Sequence, residues 1–187
     1  MAIDVVAGRL VEPVEQLTQA TGEWSLRLLL ATLAVTPLAR ITGWNRIIRL
    51  RRMLGLFSFS YMLMHFSIYL ALDRSFYWPE IVTDLTERPY IIAGFACFVL
   101  CAPLAATSTD RMIRRLGGRA WKRLHRLVYP ASIAAALHFL WLVKADITEP
   151  AIYALILSAL LGWRLRASGA RGAHRPKTNS TPVMGPS

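Results

Sequence analysis

Two stretches of the chain, Met53–Leu72 and Pro89–Thr109, contain no Lys, Arg, Asp or Glu. A helix that crosses the hydrocarbon core of a bilayer needs about 20 mostly apolar residues, with roughly 17–25 tolerated. Both stretches meet that length, and a bilayer is the solvent that suits them. A third run, Leu127–Val143, stands at the short end of the range. Leu28–Ala39 and Pro150–Trp163 are shorter between charges. They span if Arg27, Arg164 and Arg166 lay their stems along lipid and keep their heads at the interface. The expected fold is all-α, an integral membrane bundle of about five transmembrane helices.

Composition agrees. Of 187 residues, 55% are hydrophobic and 18% charged, against roughly 25% charged in soluble proteins. The net charge of +11 would suit a nucleic-acid partner, but the basic residues flank apolar runs as the positive-inside rule requires. No nucleic acid is expected; the lipid bilayer is the partner.

Loop charge sets the orientation. Arg40, Arg46, Arg49, Arg51 and Arg52 crowd the first connection without an acid. The third holds Arg111, Arg114, Arg115, Arg119, Lys122, Arg123 and Arg126 against Asp110 alone. Between them, the second connection carries Asp73, Glu80, Asp84 and Glu87 against Arg74 and Arg88. The fourth is short, with Lys144, Asp146 and Glu149. Alternating loops of this kind put the basic ones and the C-terminal tail in the cytoplasm and the N-terminus outside. Residues 1–23 then form an outer N-terminal segment, in which Val11–Gln19 suits a short interfacial helix. Residues 24–166 form the bundle. Residues 167–187, rich in Gly, Ser, Pro, Thr and Arg, read as a disordered cytoplasmic tail.

Ionisable groups inside a membrane are costly and default to functional candidates. His65 and His138 qualify, with His125 near a membrane edge; His174 lies in the tail. His65 stands eight residues before Asp73, about 12 Å along a helix, and His138 six residues before Lys144, about 9 Å. Both helices run outward, so the two imidazoles share a depth and can clamp a haem iron from opposite sides. Zinc would want further Cys or carboxylate ligands. His125 lies thirteen residues before His138 on the same predicted helix, roughly 20 Å away. Thirteen residues before His65 stands Arg52, so no second histidine pair forms. His125 either binds a cofactor with another kind of partner or hydrogen-bonds at the interface. Cys97 and Cys101, four apart in one apolar run, read as small buried hydrophobes. Gly117–Gly118 reads as a turn between helices.

Several strings match a known family in order. They are Thr36-Pro37-Leu38-Ala39-Arg40, Arg51-Arg52-Met53-Leu54-Gly55-Leu56 leading to His65, and Arg88-Pro89-Tyr90. Thr107-Ser108-Thr109, Trp121-Lys122-Arg123-Leu124-His125 and His138-Phe139-Leu140-Trp141-Leu142-Val143-Lys144 follow. From roughly Val11 to Arg166 the chain resembles the MsrQ family, haem-binding membrane subunits of the bacterial MsrPQ methionine sulfoxide reductase system. That family sits among ferric-reductase-like transmembrane domains. The resemblance implies haem b and an FMN as cofactors, a multi-pass place in the bacterial inner membrane, and electron transfer without catalysis by this subunit. It implies electrons from the quinone pool and delivery to an MsrP-type periplasmic molybdoenzyme that repairs oxidised methionines. By motif position His65, His125 and His138 match the family's haem-associated histidines, with His65 and His138 as axial ligands of the iron. The alternative is a ferric-reductase-like oxidoreductase acting directly on metal or oxygen. Family members usually carry one more hydrophobic span before the region matching Glu12-Pro13-Val14-Glu15, where this sequence has only Met1–Val11, too short to cross.

Overall fold

The computed structural model describes the backbone of residues 2–143 and 147–173 and side chains within 13–143 and 147–167. Lys144, Asp146, His174 and the tail from residue 174 onward lie outside the described residues. The described chain is all helix: α1 (Ala2–Thr42), α2 (Leu50–Ile68), α3 (Trp78–Glu87), α4 (Pro89–Ala106), α5 (Asp110–Leu116), α6 (Gly118–Leu124), α7 (Val128–Leu142) and α8 (Thr148–Ala173). A 3-10 turn, Asn45–Arg49, leads into α2, and a π turn, Tyr69–Asp73, ends it. A second 3-10 turn, His125–Leu127, joins α6 to α7. Pro79 and Pro89 start α3 and α4, where a missing amide costs nothing. Gly117 turns the chain between α5 and α6 at φ +76, a conformation glycine adopts freely.

The long helices pack as antiparallel pairs, α1 with α2 and α4 with α7, while α8 leans on α7 and α1. Leu26, Leu29, Leu30 and Leu33 of α1 meet Leu104, Val128 and Leu157 in one buried cluster. Met62, Cys97, Cys101 and Ala131 form another, so both cysteines are buried packing groups. Apolar side chains also face outward: Leu63 on α2, Val99 on α4, Ile133 on α7 and Leu155 on α8 are exposed. Such an apolar exterior is the signature of a lipid-facing surface. In lipid, close packing and hydrogen bonds hold helices together rather than the hydrophobic effect. Ser25 and Ser58 supply both, each hydroxyl donating to the other's carbonyl at 3.2 and 2.9 Å.

Three helical segments are long and apolar enough to cross a membrane: Pro13–Thr42, Asn45–Asp73 and Pro89–Ala106. The molecule is an all-α membrane bundle, with differences from the expected five spans. The first span is longer than Leu28–Ala39, because α1 continues unbroken through Val11–Gln19 and the segment expected outside. α7 has only 15 residues, its helix interrupted by the 3-10 turn before Val128. α8 holds 26 residues but carries charge at both ends of its apolar stretch, and its helix runs through Ala173, past Arg166.

Two of the three expected snorkelling arginines have polar partners on neighbouring helices. Arg164 donates to the Leu33 carbonyl on α1 and the Tyr129 hydroxyl on α7, both at 2.7 Å, tying α8 to its neighbours. Arg27 donates to Tyr153 at 2.7 Å and pairs with Glu23 at 2.9 Å.

Candidate functional site

Between α1, α2, α4 and α7 lies a partly open cavity of about 1170 Å³, bordered at its rim by α3 and the start of α8. His65 enters from α2 and His138 from α7. Their ring centres are 6.1 Å apart and their planes cross at 79°. The common depth read from the sequence therefore becomes direct proximity.

Each ring is held the same way. His65 Nδ1 lies 2.9 Å from the Thr18 carbonyl on α1, and His138 Nδ1 lies 2.6 Å from the Tyr90 carbonyl on α4. A carbonyl only accepts, so Nδ1 carries the proton in both rings, and Nε2 of each is the atom with a free lone pair. A glycine stands four residues after each carbonyl: Gly22 after Thr18 and Gly94 after Tyr90. Most of the lining is apolar, including Leu26, Met62, Phe66, Phe98 and Phe139, while Glu15, Gln19, Glu23, Asp73 and Glu149 add polar groups.

The rim is fastened by one buried carboxylate. Asp84 of α3 accepts from the Tyr69 hydroxyl at 2.8 Å and pairs with Arg88 Nε at 3.0 Å. Arg74 Nε lies 2.7 Å from Asp84, an ion pair by distance whose angle falls outside that of a hydrogen bond. The π turn after His65 brings Tyr69 and Arg74 to that carboxylate. Ile81, one turn before Asp84, faces the cavity beside Trp78 and Leu85.

His125 is elsewhere. It lines a second, smaller cavity of about 320 Å³ near the arginine-rich end, with Arg51, Arg52, Trp121 and Ser108. Its ring stacks on Trp121 at 3.9 Å, and Nε2 lies 3.2 Å from the Thr107 hydroxyl. Trp121 in turn donates its indole N–H to the Thr107 carbonyl at 2.9 Å. The sequence reading placed His125 and His138 on one helix. Instead His125 sits on the 3-10 turn ahead of α7, so the angular phase of a regular helix does not relate the two rings. Arg52, which stands where a second histidine would be, pairs with Asp110 at 2.7 Å. No group of three or more His, Cys, Asp and Glu is arranged for a metal ion among the described residues.

Sequence reasoning missed Gly22, Gly94, Asp84 and the Trp121 stack. Two interior helix glycines, each four residues after a carbonyl that a histidine reaches, were the available signal, since such glycines mark a close approach of other groups.

A membrane bundle with two imidazoles meeting in a largely apolar cavity belongs with the ferric-reductase-like transmembrane proteins. The family model described as "Ferric reductase like transmembrane component" matches residues 21–136. A Xanthomonas axonopodis pv. citri (strain 306) protein is 53% identical over 154 residues, covering 82% of this chain and 70% of its own. A Ralstonia nicotianae protein is 52% identical over 155 residues, covering 82% and 71%. Both bear the name protein-methionine-sulfoxide reductase heme-binding subunit MsrQ. The chain belongs to the MsrQ family. No solved structure matches it.

Proposed function

We propose that this chain holds a b-type haem between His65 and His138 and passes electrons from the quinone pool to a periplasmic methionine sulfoxide reductase. The observation that carries the reading is the close pair of imidazoles. The two rings stand 6.1 Å apart with Nε2 of each free, so His65 and His138 could hold a haem iron between them. A cavity of about 1170 Å³ exceeds the roughly 300–1,000 Å³ usual for small-molecule sites, and its walls suit a porphyrin. The name shared by the relatives points the same way.

Bound haem supplies a reversible one-electron couple. His65 and His138 would hold it, and the aromatic side chains Phe66, Phe98 and Phe139 would pack against it. The reading takes the quinone pool as donor, an MsrP-type molybdoenzyme as acceptor, and an FMN as a further cofactor. It places the chain in the bacterial inner membrane, with the arginine-rich end and the C-terminus in the cytoplasm and the paired histidines near the outer face. Each sulfoxide reduced to a thioether takes up two electrons and two protons and releases water; one quinol oxidised to quinone releases the same two electrons and two protons. His125 belongs to this reading as a separate cofactor contact near the cytoplasmic face, with Thr107 and Trp121 as its neighbours.

The test follows haem absorbance in the purified chain reduced by quinol. Adding methionine sulfoxide together with the periplasmic molybdoenzyme should reoxidise it, and methionine sulfoxide alone should not. Rapid reoxidation without the partner would make this chain the reductase itself. No reoxidation with an active partner would favour the other reading, a reductase of metal or oxygen.

A further inference from the structure

Each histidine in the large cavity meets a neighbouring helix at the same small motif. His65 of α2 reaches the Thr18 carbonyl of α1, and His138 of α7 reaches the Tyr90 carbonyl of α4. Four residues on come Gly22 and Gly94. In a helix each Cα–Cβ bond tilts toward the N-terminus, so the side chain at i+4 leans back over the carbonyl of residue i. Glycine at i+4 uncovers that carbonyl and opens its second lone pair to a donor from the side. The structure measures how much depends on the missing atom. A Cβ at Gly94 would lie 2.8 Å from His138 Nδ1 and 2.9 Å from its Cε1. A Cβ at Gly22 would lie 3.1 Å from both Nδ1 and Cε1 of His65. The atoms met belong to rigid rings fixed by a hydrogen bond, not to the ends of flexible chains.

The other interior helix glycines behave differently. A Cβ at Gly55 would meet only Thr32 Cγ2 at 3.7 Å, and one at Gly162 would meet nothing within 4 Å. Among the described residues the close approach is confined to the two glycines beside the paired histidines, one on each antiparallel helix pair.

We infer that Gly22 and Gly94 are positioning residues: each exposes a helix carbonyl that captures Nδ1–H of a histidine, fixing ring rotation and tautomer so that Nε2 of both rings is free to face a metal centre. The inference rests on the haem reading above and assigns parts to residues that ligate nothing themselves. Outer partners that orient a ligand imidazole typically change metal affinity about 10- to 100-fold when removed. The two halves are unequal. The His138 half has the shorter hydrogen bond and the tighter glycine, so it is the more sensitive to a methyl group.

The experiment compares Gly94→Ala, Gly22→Ala and the control Gly162→Ala with the native chain, purified from membranes in detergent. Three quantities are read: the haem-to-protein ratio, the ferric low-spin EPR g-values, and the histidine ¹⁵N spectrum of the haem-free chain. Gly94→Ala should lower the haem ratio about tenfold or more and remove one Nδ1-protonated ring from the ¹⁵N spectrum. Gly22→Ala should lower it less, because its Cβ would stand farther from the ring, and shift the g-values. Gly162→Ala should match the native chain in all three. If Gly94→Ala does not accumulate, Gly22→Ala decides through its g-values and ¹⁵N spectrum. Native ratios, g-values and tautomers in both cavity variants would overturn the inference, as would an equal loss in Gly162→Ala. A native chain that binds no haem would defeat the haem reading alone, because the ¹⁵N spectrum still reports which ring nitrogen carries the proton.

Discussion

The same helices build both ends of this bundle, yet the two ends differ in almost every respect. At one end α2 and α7 bring two imidazoles within 6.1 Å across a cavity of about 1170 Å³. At the other, a single imidazole lines a cavity of about 320 Å³ among Arg51 and Arg52. The first end has glycines that let rings press against neighbouring backbones, and a buried carboxylate that fastens its rim. The second has a tryptophan stacked on its histidine, and an arginine where an opposing histidine would stand. Histidines on apolar helices are therefore not equivalent. What distinguishes a pair from a lone ring is the backbone of the helix beside it.

Carboxylate burial offers the sharpest way to break the contrast. Asp84 is 4% exposed and meets three partners, the Tyr69 hydroxyl by a hydrogen bond and Arg74 and Arg88 as ion pairs. Removing one partner of a buried ion pair costs about 3–5 kcal/mol; because Arg74 and Arg88 keep some contact with water, Asp84→Ala should cost nearer 2–3 kcal/mol. Thermal unfolding of the purified chain in detergent measures this as a clear drop in Tm. An unchanged Tm would mean that α3 is not fastened through Asp84.

The opposite end supplies the small effect. Arg52 and Asp110 pair at 2.7 Å, but their side chains are 45% and 70% exposed. An exposed pair contributes about 0.2–1 kcal/mol, and salt screens it. Arg52→Ala should therefore move the same melting curve slightly, and less still at high salt. A loss as large as that of Asp84→Ala would erase the energetic difference between the ends.

Much of this was legible in the chain, for particular reasons. Met53–Leu72 and Pro89–Thr109 announced membrane helices because uncharged runs of that length have few other solvents. His65 and His138 could be matched because depth follows from counting residues back to a charged boundary. His125 was placed on the wrong element, since a three-residue 3-10 turn leaves no trace in hydrophobic period. The arginine partners were hidden too: Arg27 and Arg164 find theirs 126 and 131 residues away in sequence, Tyr153 and the Leu33 carbonyl. Gly22 and Gly94 stood in plain view, but their meaning depends on which ring lies across from them. Asp84 looked like one loop acid among four, because only tertiary packing decides which of them is buried.

The account turns on His65 and His138 acting together while His125 acts apart. Reduced-minus-oxidised difference spectra of four purified chains measure this most directly: the native chain, His65→Ala, His138→Ala and His125→Ala. Each of the first two variants leaves one axial position empty, so the b-type band should be lost or strongly reduced in both. His125→Ala should retain it. Full retention of the band in both His65→Ala and His138→Ala would contradict the pairing.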